Sequence, residues 1–138
     1  MGRIGLVRGI YPLTSTNETF SFGKQVASHL PKNAILALTG NLGAGKTTFV
    51  QGLAQGLGIE EAIQSPTFIL LNLYEGLAHF DLYRLKTAAD FINLGFEEYF
   101  ADHICAIEWP EKILDILPPT TIRIHFEYDN ERRIATIS

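Results

Sequence analysis

The chain of 138 residues has a single cysteine, Cys105, so no disulfide can form within it, which fits a reducing cytosol. Basic residues are outnumbered, with 11 Lys and Arg against 15 Asp and Glu and a formal net charge of −4. A protein of that sign does not grip nucleic acid through a basic surface of its own, so any such role runs through a partner. No apolar run reaches membrane-spanning length, and the first residues, Met1 to Leu6, contain no long apolar stretch of the secretory kind. Leu6 also stands where an N-myristoylation signal requires Ser or Thr. Repeats and low-complexity tracts are missing. What remains is 46% hydrophobic and 19% charged, enough to bury a real core, and one domain over residues 1–138 is expected.

The most informative stretch is "GNLGAGKTTF", residues 40–49, directly after the apolar run Ala34 to Thr39. Gly40, Gly45, Lys46 and Thr47 match the phosphate-loop template G-x-x-x-x-G-K-[ST]. Such a loop works because successive backbone N–H groups, helped by a helix N-terminus, converge on an anion. Gly43 and Gly45 keep Cβ atoms out of the way, Lys46 reaches the β- and γ-phosphates, and the Thr47 hydroxyl ligates Mg²⁺.

The surrounding pattern supplies the strand and helix this mechanism needs. Residues 4 to 9 read as a short first strand. Ser15-x-x-Glu18 is a capping box, opening a helix to about Leu30 with Phe22, Val26 and Leu30 inward. Ala34 to Thr39 is an unbroken apolar strand of the doubly buried kind. The loop helix presents Phe49, Val50, Leu53, Ala54 and Leu57 at helical spacing and ends at Gly58, while Gly52 and Gly56 suit close packing. A hairpin follows around Glu75-Gly76, then short helices over 87–92 and 95–101. Ile104 to Glu108 is a second buried strand, and Pro110 can open a helix through Leu114. In "TIRIHFEY", Ile122, Ile124, Phe126 and Tyr128 alternate inward, and Ile134 to Ile137 closes the chain as a last strand. The expected fold class is α/β: a P-loop NTPase-like mixed parallel and antiparallel sheet with flanking helices.

A nucleotide site also needs an acidic group near the metal, commonly at a strand end. Glu108 closes the cleaner buried run and ranks first for the metal; Asp81 follows as a holder or polariser of water. Either could equally be a solvated strand-end carboxylate. Thr67 in "SPTF" could close over the γ-phosphate and metal, although a plain turn around Pro66 is the simpler reading. His79 reads as a strand histidine, Trp109 as packing that could roof the site, and Arg84 as a surface residue or a contact to phosphate or partner. No N-K-x-D or LSGGQ motif is present, which disfavours a GTPase and an ABC ATPase, and the chain is short for the lid of a small-molecule kinase.

Taken in order, "GNLGAGKTTF", "SPTF", "HFDLYRL", "GFEEYF" and "IEWPEK" resemble the tRNA threonylcarbamoyladenosine biosynthesis ATPase family, TsaE or YjeE, over nearly the whole chain. The trio "SPTF", "HFDLYR" and "EW" is far more specific than the phosphate loop. The resemblance implies a cytoplasmic ATPase, monomeric when alone, that uses ATP and Mg²⁺ and acts with two partner proteins, TsaB and TsaD. Together they attach a threonylcarbamoyl group to adenosine 37 of tRNAs reading codons that start with A; tRNA is met only through the complex. It further implies that Asn41, Leu42, Gly43, Ala44, Gly45, Lys46, Thr47 and Thr48 hold the phosphates and that Thr47 and Glu108 bind Mg²⁺. Lys46 and Asp81 would serve hydrolysis, Thr67 and Trp109 would line the site, and Arg132 and Thr16 would border the adenine. A small-molecule kinase and a non-hydrolysing nucleotide-binding regulator are the competing readings.

Overall fold

A computed structural model describes residues 8–40, 45–61, 63, 70–129 and 132–138, without the side chains of Asp129 and Arg132. The strands are β1 (Gly9–Leu13), β2 (Ile35–Gly40), β3 (Leu71–Tyr74), β4 (Leu77–Asp81), β5 (Ile104–Glu108), β6 (Ile122–Asp129) and β7 (Arg132–Ile137). Helices α1 (Thr16–Ala27), α2 (Lys46–Gly56) and α3 (Ala88–Asn93) are joined by 3-10 segments at Phe96–Ala101 and Pro110–Ile116. The strands form one sheet in the order β1-β7-β6-β2-β5-β4-β3. β2 runs parallel to β5 and β6, and β4 parallel to β5, while β1–β7, β6–β7 and β3–β4 are antiparallel. This is the expected mixed α/β sheet. No helix among the described residues is long and apolar enough to cross a membrane.

The apolar runs Ile35–Leu38 and Ile104–Ile107 form the centre because both faces of β2 and β5 are covered. On one face Leu36, Leu38, Ile104 and Ala106 pack with Phe22, Val26, Phe49 and Leu53 of α1 and α2. On the other, Ile35, Phe80, Cys105 and Ile107 pack with Phe91 and Ile113. Burial pushes the Cys105 thiol up to about 12, so it stays a neutral core residue.

α1 and α2 meet backbone to backbone. A Cβ at Gly52 would collide with the Phe20 carbonyl, and one at Gly23 with the Phe49 carbonyl, so these positions take only glycine. At Gly56 an added Cβ would lie 2.7 Å from the Ala27 Cβ. The close packing expected of Gly52 and Gly56 is therefore present.

Several boundaries differ from the sequence reading. The first strand is Gly9–Leu13 rather than 4–9, because its pairing with β7 begins at Gly9; residues 1–7 lie outside the described set. α1 starts as expected, with the Ser15 hydroxyl accepting from the Glu18 N–H at 3.1 Å and Glu18 accepting from the Thr14 N–H at 2.8 Å. It stops at Ala27, not Leu30: the Ser28 hydroxyl caps the Gln25 carbonyl, and Pro31 disfavours a helical Leu30. The expected helices over 95–101 and from Pro110 are 3-10 segments, the second broken by a non-helical Ile113 at φ −132°. Tyr128 shares the face of Ile124 and Phe126 but is 56% exposed, because β2 ends opposite Phe126; Arg133 lies over its ring at 5.5 Å.

Candidate functional site

The three parallel strands β2, β5 and β4 end together, placing Gly40, Glu108 and Asp81 along one edge of the sheet, with Asp81 and Glu108 in direct register. Ligands of open α/β sheets bind at such carboxyl ends. After β2 the chain passes through Asn41, Leu42, Gly43 and Ala44, outside the described residues, and re-enters at Gly45. Gly45 has φ 107°, a left-handed conformation that glycine adopts without strain, and it turns the chain directly into α2. The N-terminal N–H groups of α2 therefore open towards the strand ends.

Lys46, first in α2, is buried; its ammonium donates to the Gly40 carbonyl at 3.1 Å and lies 5.0 Å from the centre of the Trp109 ring. Trp109 has φ 58°, strained for a residue with a side chain, and Tyr83 packs against it at 5.0 Å. Two further bonds tie the "HFDLYRL" and "IEWPEK" segments together: Leu82 N–H to the Glu108 carbonyl at 3.1 Å, and Lys112 Nζ to the Leu85 carbonyl at 2.8 Å. Trp109 thus lies over the lysine while also packing, partly buried, against the core.

A cleft of about 170 Å³ opens at the head of α2. Gly45, Lys46, Thr47 and Thr48 line it together with Glu108, Thr16, Thr19 and Arg133. Glu108 is buried and accepts from His79 Nε2 at 2.7 Å. Asp81 is half-buried and its Oδ1 accepts the Tyr83 N–H at 3.1 Å. Burial holds the Asp81 carboxyl above the ordinary carboxylate range; the Tyr83 N–H opposes this, and the charge of Glu108 adds to it.

The structure brings together Lys46, Thr47, Thr48, Glu108 and Thr16, with Trp109 over Lys46 and Asp81 beside Glu108. Thr67 lies outside the described residues, as does the Arg132 side chain. Arg133, one residue on, lines the cleft, and its buried Nε has no hydrogen-bond partner among the described residues. Arg84 is exposed and outside the cleft lining. Sequence reasoning passed over Arg133, Thr19 and the bond between His79 and Glu108. The available signal was period two: His79 shares a strand face with Asp81.

Comparison with known proteins agrees over most of the chain. Residues 13–135 match the family model for threonylcarbamoyl adenosine biosynthesis protein TsaE. A tRNA threonylcarbamoyladenosine biosynthesis protein TsaE of Treponema pallidum is 44% identical, over 88% of this chain and 94% of its own. A Bacillus subtilis protein of the same name is 38% identical, over 86% of this chain and 78% of its own. The crystal structure of Bacillus subtilis YdiB superposes with a TM-score of 0.80 at 30% identity, covering 95% of this chain and 84% of that one. The chain belongs to the TsaE family of threonylcarbamoyl adenosine biosynthesis proteins.

Proposed function

We propose that this protein is a cytoplasmic Mg²⁺-dependent ATPase that supports threonylcarbamoylation of adenosine 37 in tRNA, working with TsaB and TsaD rather than transferring the group itself. The observation that carries this reading is the buried Lys46 at the head of α2, lining one cleft with Thr47 and Glu108. A buried cation whose contacts among the described residues are one carbonyl and a ring face has capacity for an anionic ligand. Backbone N–H groups at the start of α2 would hold phosphate oxygens, and Lys46 would neutralise charge developing on the transferred γ-phosphoryl group.

The donors fit Mg²⁺. It favours oxygen ligands and takes one or two carboxylates plus substrate phosphates and waters, which matches the Thr47 hydroxyl and the Glu108 carboxylate in the cleft lining. When bound, Mg²⁺ would supply neutralisation of the phosphate charge. Asp81, with its carboxyl above the ordinary range, is suited to orient the attacking water from the neighbouring strand end. Thr16 and Arg133 line the same cleft and would contact the rest of the nucleotide. With a net charge of −4, the chain leaves tRNA to its partners.

Steady-state phosphate release tests the proposal, measured on the purified chain, then with both partner proteins, then with tRNA added. Slow release alone and faster release with the partners are expected. Lys46→Ala should abolish release and weaken ATP binding by about 1.5–3 kcal/mol, the worth of a charge-assisted contact. Unchanged affinity and turnover in that variant would sink the phosphate-loop reading. A fast lone rate indifferent to the partners would restore a stand-alone ATPase or kinase, and no release under any condition a non-hydrolysing regulator.

A further inference from the structure

His79 has no part in the reading so far, yet it is one of four buried polar or charged side chains among the described residues. It lies on β4 facing α1 and α2, flanked on that face by the fully buried Leu77 and Ala106. Its Nε2 is 2.7 Å from Glu108 Oε2, while Nδ1 is buried without a partner among the described residues. An ionised carboxylate only accepts, so Nε2 would be the donor in this bond. Leaving a buried nitrogen unpaired costs stability, and an apolar residue of similar size would fill this site without that cost. Stability therefore does not explain the histidine.

Orientation does. The last torsion of a glutamate is broad and weakly restrained on its own. Here one oxygen is tied to a ring that the packed sheet immobilises, leaving Oε1 as the oxygen that His79 does not hold. We propose that His79 is a positioning residue that fixes the Glu108 carboxylate in the orientation that receives a divalent cation in the cleft. The inference rests on the reading of Glu108 as a metal-ligating carboxylate. Partners that orient metal ligands in this way typically change metal affinity by about 10–100-fold when removed.

The test titrates Mg²⁺ into the protein with ADP by calorimetry, and repeats ADP binding in EDTA, for wild type, His79→Asn, His79→Gln and Glu108→Gln. A Gln amide reaches the place of Nε2 and can still donate to Glu108; an Asn amide falls short. The Mg²⁺ midpoint should rise about tenfold or more in His79→Asn with ADP affinity in EDTA unchanged, and His79→Gln should recover most of the loss. A wild-type midpoint in His79→Asn, while Glu108→Gln has lost its Mg²⁺ response, would overturn the inference and leave the metal reading standing. ADP binding by wild type that ignores Mg²⁺ would overturn both. Equal loss of ADP affinity with and without Mg²⁺ in both His79 variants would show the ring to be packing only. Nitrogen NMR of the His79 ring in wild type needs no variant to fold: the Nε2–H tautomer is expected, and an Nδ1–H tautomer would refute the bond.

Discussion

The two faces of the sheet are built from the same strands and could hardly differ more. Towards α1 and α2 lie Thr19, Lys46, His79 and Glu108, all four of the buried polar or charged residues described. Towards α3 and the 3-10 segments the buried side chains described are apolar and aromatic, with Phe80 packed on Phe91, Phe96 and Tyr99 at ring distances of 5.4, 5.4 and 6.5 Å. The division falls between adjacent residues: His79 and Asp81 flank Phe80, and Ile107 precedes Glu108. Because a strand alternates faces, β4 and β5 aim chemistry one way while anchoring themselves the other way. The strands that carry Asp81 and Glu108 are thus anchored by the apolar core on the opposite face.

The largest effect should come from breaking the anchoring face alone. Phe91 is fully buried against Phe80, Phe96 and Phe100, so Phe91→Ala should cost about 3–5 kcal/mol of stability by denaturant titration. ADP affinity, measured where the variant is still folded, should hold. Affinity falling in step with stability would mean that the faces are not separable. Gly52→Ala is the complementary break. Its new methyl meets the Phe20 carbonyl, so α1 and α2 must part, at about 1–3 kcal/mol for an overpacked contact. Because α2 carries Lys46 and α1 carries Thr16 and Thr19, this variant should lose ADP affinity as well. Intact affinity would show that the cleft tolerates helix displacement.

Within the site face, the two strand-end carboxylates should separate. Glu108→Ala should raise the Mg²⁺ needed for nucleotide binding on the order of tenfold or more, and Asp81→Ala should raise it less. The reason is position: Glu108 lines the cleft, whereas Asp81 sits beside it with one oxygen taken by the Tyr83 N–H. A larger Mg²⁺ loss in Asp81→Ala would reverse the two roles.

The sequence made the centre of this architecture legible and its cross-connections not. β5 was read to the residue and β2 to within one, since strands covered on both faces appear as unbroken apolar runs. The phosphate-loop helix, the hairpin and the α1 cap carried local chemistry of their own. Tyr128 was misplaced because alternation reports a face, not whether anything covers it. The bond from His79 to Glu108 spans 29 residues, and only the β4–β5 register reveals it. Arg133 in the cleft lining was missed for a similar reason: nothing local says which residues of the last strand reach the head of α2.

The smallest effect tests whether the site face feels a change at its rim. The cap of α1 immediately precedes Thr16, which lines the cleft. Ser15→Ala removes the hydroxyl that accepts from the Glu18 N–H and should cost about 1 kcal/mol. Glu18→Gln keeps an acceptor for the Thr14 N–H but gives up its charge. That N–H holds the Glu18 carboxyl below its ordinary value of 4.5, so the folded state prefers the ionised form. A depressed folded value adds stability that is fully present above the unfolded value and lost as pH falls through the folded one. Wild type should therefore exceed Glu18→Gln in stability at neutral pH, and the gap should close in acid, below about pH 4. Denaturant titrations of both proteins from neutral pH downwards check this, with ADP affinity followed alongside. A gap that widens in acid would contradict the direction of the shift. If the gap closes as expected while ADP affinity never differs, the head of α1 is only a fastening, and the functional face is confined to α2 and the strand ends.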